Sequence, residues 1–340
     1  MQRIRIALAG CGNWGMNYIR LIAQIPEAEL VCVVDTNLEV YKNIQYKIPA
    51  TTKFYSDYKL AFEKEKPDAV IVSTPLNTHF EICKYALEHR LHVLCEKPVS
   101  TSEGEILELK KITILNKLYF FPGHVFIYNQ GIQFIKEFLN SGKFGNNYYF
   151  NFQRTGLGTI RSDASVTEDL ATHDFSILLY LLNEKPEAIS MTHFNYESKK
   201  FSDTAYITLF FPSKIHATIH VSWIHPIKER KLNIIGSKMM IVFDDTSLSE
   251  KVKIFKRDRS YNLPEGDFGE FQMAVRGGDI LVPDIQYTET LKLQLNNFVQ
   301  SVLGNETPKV HIDDALHISK IFGACKESAE NGGRLTGVTW

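Results

Sequence analysis

Long apolar runs are missing from this chain. No stretch of its 340 residues approaches the roughly 20 needed to cross a bilayer as a helix. A membrane-spanning helical protein is therefore excluded. Cysteine is scarce and odd in number: Cys11, Cys32, Cys83, Cys95 and Cys325, with no CxxC pair among them. That excludes a disulfide framework and a thiolate metal site, and the five are expected as reduced thiols in or near the core. Net charge is almost absent, with 38 Lys and Arg against 39 Asp and Glu for a formal −1. No global pull toward nucleic acid or an anionic membrane follows. The first residues open directly into a strand pattern without an apolar leader, so the expected location is cytoplasmic. There is no internal repeat, low-complexity tract or heptad array. What is present is ordinary globular composition, 44% hydrophobic and 23% charged, with length enough for two domains.

The chain is organised around residues 3–35. Arg3 to Ala9 reads as a short buried strand, and Gly10-Cys11-Gly12-Asn13-Trp14-Gly15 follows it at once as a G-x-G-x-x-G. Trp14, Tyr18, Leu21, Ile22 and Ile25 then recur at helical spacing. A second apolar run, Leu30 to Val34, ends on Asp35, 20 residues beyond Gly15. Strand, glycine turn, helix, strand and acid in this order predict a dinucleotide site. Gly10 permits the tight turn, Gly12 lets backbone approach a pyrophosphate, and Gly15 lets helix pack on strand. The helix N-terminus offers free N–H groups to phosphate. Asp35 can accept the adenosine ribose hydroxyls and repels a 2′-phosphate, and Thr36-Asn37 supplies no arginine for one. The cofactor expected is NAD rather than NADP.

Residues 1–122 alternate strand and helix, which predicts an α/β domain with a doubly wound parallel Rossmann sheet. Helices are expected over about 37–47, 57–65, 80–89 and 102–117, and strands at 53–55, 69–73, 92–95 and 119–121. In such sheets ligands sit at the C-terminal strand ends. The loops at 10–15, 35–37, 73–79 and 95–98 therefore converge on one crevice. This makes Gly10, Gly12, Asn13, Trp14, Gly15, Asp35, Thr74, Pro75, Asn77, His79, Glu96 and Lys97 the candidate cofactor contacts. Asn77 and His79 could instead cap the following helix. From residue 123 to 340 the pattern changes to a C-terminal α+β domain with an open, mostly antiparallel sheet. A helix at 129–141 precedes a strand at 147–153, a loop at 155–165 and a helix at 166–182. Alternating strands follow at 186–196, 203–211, 214–223, 230–236, 239–243 and 251–256. A long loop is expected over 258–284, then helices at 287–303 and 312–330, the last packing back on the first domain. The apolar sheet faces predict self-association as a homodimer or homotetramer.

Two constellations could carry chemistry. Glu96-Lys97-Pro98 closes the fifth strand. Lys97 there can hold a substrate hydroxyl near a nicotinamide, or it is a surface lysine. Pro98 forces it out of helical geometry and permits a cis peptide bond. The second is Glu168-Asp169-Leu170-Ala171-Thr172-His173-Asp174. Asp169 and His173 lie four apart on one helical face. Histidine is suited to take an alcohol proton near neutral pH, with the carboxylate orienting it. The bland alternative is a helix-start acid capping free N–H groups. This second constellation has no nearby thiolate or second histidine at ligand spacing, so no metal is expected.

In combination, Gly10 to Gly15, Asp35, Glu96-Lys97-Pro98 and the Asp169/His173 pair resemble the Gfo/Idh/MocA oxidoreductases over essentially the whole chain. The resemblance implies NAD(P)-dependent redox chemistry at a sugar or cyclitol carbon. It implies Lys97 as a substrate-positioning and proton-relay residue, His173 as acid/base and Asp169 as its assistant on a substrate hydroxyl. Ala171 stands where glycine is frequent, and Ser176 where an acid often follows the histidine. Gly123-His124, Gln153 to Gly158, Ser222-Trp223-Ile224-His225-Pro226 and Gly236-Ser237-Lys238 are further similar to a branch acting on UDP-linked amino sugars. That branch oxidises C3 of UDP-N-acetylglucosamine or its glucuronate before transamination. On this likeness Arg154 and Arg161 are candidates for a diphosphate or carboxylate, or else surface arginines. His124 and Tyr128 are candidates for the pocket wall or for core packing, and Trp223 is expected to fill the core. A free sugar or myo-inositol dehydrogenase is the alternative reading, and a non-catalytic NAD-binding regulator the third. No nucleic acid or membrane partner is expected.

Overall fold

The computed structural model describes residues 3–256 and 278–340, so most of the loop expected at 258–284 lies outside the described residues. Two compact units divide the chain: residues 1–128 with 288–323 and Trp340, and residues 129–287 with 324–339.

The first unit holds six parallel strands in the order β3-β2-β1-β4-β5-β6. They are β1 (Ile4–Ala9), β2 (Ala28–Val34), β3 (Lys53–Tyr55), β4 (Ala69–Val72), β5 (His92–Cys95) and β6 (Phe120–Pro122). The strands read as unbroken apolar runs because both sheet faces are covered; every residue of β4 is buried. Helices α1 (Gly15–Ile22), α2 (Leu38–Ile44), α3 (Tyr58–Glu65), α4 (Leu76–Glu88) and α5 (Glu103–Leu115) connect them. Asn37, Asp57 and Ser102 cap α2, α3 and α5 by accepting backbone N–H groups. The strand order reverses between β1 and β4, where a crevice opens at the carboxyl ends. One expectation is corrected here. α4 begins at Leu76 and not Phe80, because Pro75 enters it at φ −59° and its carbonyl accepts the Thr78 N–H and hydroxyl. Asn77 and His79 thus stand on the helix and not in a loop. Later in the chain, α8 (Thr290–Val302) adds Phe298 against Phe121, ring centres 5.1 Å apart.

The second unit is built on nine strands, in the order β14-β13-β12-β11-β7-β10-β9-β8-β15. Helix α6 (Gln130–Asn140) precedes them, and the strands are β7 (Asn147–Leu157), β8 (Ala188–Phe194), β9 (Thr204–Phe210), β10 (His216–Ser222), β11 (Ile224–Gly236), β12 (Met239–Asp244), β13 (Val252–Lys256), β14 (Ile280–Leu281) and β15 (Thr336–Gly337). All neighbours run antiparallel except β7 and β10. Alternation buries Phe150, Phe152, Ile207, Leu209, Ile219, Leu232 and Ile234 on one face. The expected end of β7 at Gln153 is corrected: the strand continues through Arg154 to Leu157. Pairing of Arg154 with Arg230 and Leu157 with Ile224 extends the ladder past Gly156, and β11 starts correspondingly early. The segment expected as one helix at 166–182 is also two. A π turn over Thr167–Ala171 leads into α7 (Thr172–Leu182), whose Phe175, Ile177, Leu178 and Leu181 are buried. Among the described residues no helix is long and apolar enough to cross a membrane.

Candidate active site

At the carboxyl end of β1 the glycines differ in what they permit. Gly10 has φ +89°, and a Cβ on it would sit 2.6 Å from the Ser73 carbonyl oxygen. A Cβ on Gly15 would lie 2.2 Å from the Gly10 carbonyl oxygen, so the helix approaches the turn only without a side chain. At Gly12 a Cβ meets nothing within 4 Å, which leaves open space beside the backbone. No side chain caps α1. Its start is wound by backbone instead: the Met16 N–H donates to the Gly12 carbonyl at 3.1 Å and the Asn17 N–H to the Trp14 carbonyl at 3.0 Å. Asp35 fixes the loop from β2. One carboxylate oxygen accepts the Cys11 N–H at 2.9 Å and the other the Asn37 N–H at 2.9 Å. Asn13 anchors the turn through its carbonyl, which accepts the Asn17 amide. This cradle fits the pyrophosphate and ribose of a dinucleotide.

Glu96 follows β5 and is buried. It accepts the Trp14 indole N–H and the Tyr18 hydroxyl at 2.6 Å, while its second oxygen takes the Lys97 N–H at 3.2 Å. Burial pushes its pKa up, against the pull of Tyr18, Lys97 and Trp14. The side chain expected to meet cofactor thus ties the glycine loop to the Lys97 turn. Tyr18, read from the sequence only as an apolar helix position, is part of that tie. Lys97 is half-buried and its peptide bond to Pro98 is cis. His79 is buried too, with Nδ1 2.9 Å from the Pro98 carbonyl and Nε2 2.8 Å from the Thr74 carbonyl. Its ring braces the two loops. Asn77 is exposed on the first turn of α4, and the Thr74 and Thr78 hydroxyls lie 2.7 Å apart.

His124 is 1% exposed, and neither ring nitrogen has a hydrogen-bond partner among the described residues. Burial, then the nearby Lys97 charge, pushes its pKa down to about 3. Its neighbour Gly123 explains the placement: a Cβ there would lie 2.9 Å from the Lys97 nitrogen, so these backbones touch. Tyr128 belongs to the core. It is 1% exposed and its hydroxyl donates to Asn297 Oδ1 at 3.0 Å, which corrects its place on a pocket wall.

The second unit gathers its own charged group. Asp169, on the π turn, accepts Arg161 Nη1 at 3.2 Å and the Trp223 indole N–H at 3.2 Å. Trp223 is buried as expected for a core residue, and its polar edge was the part the sequence did not reveal. Arg161 also pairs with Asp163 at 2.7 Å. His173 stands half-buried on the first turn of α7. Arg154 is corrected most: it is neither on the surface nor open to a ligand. Its Nε and Nη2 both reach Asp174 Oδ1, at 3.0 and 2.7 Å, in a buried pair. Arg230, not singled out from the sequence, faces the same group of charges. The signal existed: Arg230 shares the inward parity of Leu232 and Ile234, where a charge is out of place.

A family model described as the oxidoreductase family, NAD-binding Rossmann fold (GFO_IDH_MocA), matches residues 4–124. The family's C-terminal alpha/beta domain matches residues 136–336. The chain is 24% identical to a 2,7-anhydro-N-acetylneuraminate hydratase of Mediterraneibacter gnavus, over 78% of this chain and 74% of that one. It is 23% identical to the myo-inositol 2-dehydrogenase of Thermotoga maritima, over 96% of both. In fold it is similar to the WlbA dehydrogenase from Bordetella pertussis, solved in complex with NADH and UDP-GlcNAcA. There the TM-score is 0.81 and the identity 19%, with 100% of both chains covered. The glycine cradle, the Lys97 turn and the two matched domains together make this chain a member of the Gfo/Idh/MocA oxidoreductase family, with an NAD-binding Rossmann unit.

Proposed function

We propose that the protein is an NAD-dependent dehydrogenase of a sugar ring CH–OH, and that its substrate is a UDP-N-acetylamino sugar oxidised at C3 to a keto sugar. The observation that carries the chemistry is the head of α7. Asp169 is held there from two sides by Arg161 and Trp223, with His173 four residues on. Gly10, Gly12, Gly15 and Asp35 hold the cofactor, which supplies the hydride acceptor when bound. His173 takes the hydroxyl proton as the C–H bond breaks. Asp169 accepts a substrate hydroxyl and orients the imidazole, and Lys97 holds and polarises the reacting oxygen. His124 buries a neutral ring beside Lys97, which keeps that lysine's surroundings free of a second cation. Arg161, 3.2 Å from Asp169, supports a substrate bearing negative charge.

A free cyclitol or sugar is the second reading, supported by the Thermotoga maritima relative that matches along both chains. Anaerobic incubation with NAD and UDP-N-acetylglucosamine, its glucuronate, myo-inositol or glucose separates the two, read at the NADH absorbance band. NADH with a nucleotide sugar alone is the expected result. NADH with the polyols alone assigns the second reading. NAD binding with no turnover on any sugar leaves an NAD-binding protein without this activity.

A further inference from the structure

We infer that Arg230 binds an oxyanion substituent of the substrate, a carboxylate or a phosphate, on the inner face of the second unit's sheet. This rests on the reading of the site as one that takes a sugar.

Arg154 on β7 and Arg230 on β11 are direct partners, and both point to the face lined by Phe150, Phe152, Leu232 and Ile234. Like charges directly opposite on neighbouring strands destabilise a sheet. A cation on an inner face also carries a desolvation cost. For Arg154 both are offset by its paired contact with Asp174. Arg230 has no such compensation. Among the described residues no hydrogen bond or ion pair engages its guanidinium, and desolvation first and Arg154 next weaken its hold on the proton. The carboxylates within its field are Asp245, Asp174 and Asp169. Each is already occupied: Asp245 by Lys251 at 2.9 Å, Asp174 by Arg154, and Asp169 by Arg161 and Trp223. The buried Asp174 Oδ2 lacks a donor, and Arg230 does not reach it. Arg230 is therefore a half-buried fork of donors whose nearby counter-charges are all engaged, in the same charge group as Asp169. Planar oxyanions are what such a fork recognises.

Calorimetric titration of the NADH-loaded full chain with UDP-N-acetylglucosamine, its glucuronate, free glucuronate and glucose tests this in the wild type, Arg230→Met and Arg230→Lys. Removing charge-assisted hydrogen bonds should weaken binding by about 10-fold or more, with Arg230→Lys intermediate and NADH affinity unchanged. Loss confined to the two glucuronates identifies a carboxylate as the partner. Loss with both nucleotide sugars and not free glucuronate identifies the diphosphate. The melting temperature of Arg230→Met should hold or rise, since an uncompensated cation is gone. Unaltered affinity for every anion, an equal loss for glucose, absence of anion binding in the wild type, or a fall in melting temperature of several degrees overturns the proposal. Failure of the dehydrogenase reading shows separately, as absence of NADH formation while anion binding still depends on Arg230.

Discussion

The glycine cradle of the first unit and the charged inner face of the second do opposite things with the same chain. On the proposed reading the cradle binds with backbone. Its parts, Gly10, Gly12, Gly15 and Asp35, lie within 26 residues, and the side chains matter mainly by being absent. On the same reading the charged face binds with side chains drawn from separated segments, Arg161 and Asp169 around the π turn and Arg230 on β11, while Arg154 of β7 is paired with Asp174 of α7. A backbone site recognises what every user of the cofactor shares. A side-chain site built by strand register can change its ligand by one substitution without disturbing the ladder. On the proposed reading, cofactor choice resides in the first region and substrate choice in the second.

The largest expected effect falls on the second region. Arg154→Met leaves Asp174 buried without its partner, which should cost about 3–5 kcal/mol in denaturant unfolding. Adding Asp174→Leu should recover most of that loss; additive losses would mean the pair is not the unit of stability. Next come the glycines, which divide binding from packing. Gly15→Ala drives a methyl into the Gly10 carbonyl and should cost about 1–3 kcal/mol together with NAD binding. Gly12→Ala adds the same methyl to open space, so NAD affinity should fall while the melting temperature stays. Equal destabilisation by the two would erase the distinction. Asp35→Asn keeps one acceptor where two backbone N–H groups and a ribose need more. NAD affinity should fall by about 10-fold and the preference over NADP should narrow, on the usual worth of hydrogen bonds to a charged group.

The last effect shows only when pH is lowered. The His124 pKa falls from 6.5 to about 3 on folding, so the unfolded chain binds a proton that the folded chain refuses. Its contribution to stability is complete above 6.5 and is lost as pH falls from there toward 3. His124→Leu should flatten that limb of the melting-temperature profile, and an unaltered slope would show that another group governs it.

The first region was legible because its physics is local. A strand, three glycines and an acid at fixed spacing specify turn, cradle and helix start before any tertiary contact is known. The parallel sheet and the alternating second sheet followed from periodicity in the same way. What escaped was set by register and by caps. Arg154 reads as a surface or ligand-binding arginine until the strand is seen to continue past Gly156 and place it against Asp174. His79 reads as a loop residue until Pro75 is seen to start α4 early. Glu96 and Tyr18 are 78 residues apart, and nothing in either neighbourhood announces their hydrogen bond. Trp223 was expected in the core and lies there, but its indole N–H on Asp169 needed coordinates. The π turn that carries Asp169 differs from an α-helix in hydrogen bonding that apolar spacing does not encode.

The measurement that bears most directly on the division between the two regions is a paired one on His173→Ala, NADH affinity by fluorescence titration and turnover with the substrate the wild type oxidises. NADH affinity should be unchanged and turnover reduced by about 100-fold or more, the usual contribution of a positioned acid/base. Turnover at the wild-type rate, or NADH affinity lost along with it, would contradict the assignment of proton transfer to the second unit and cofactor binding to the first.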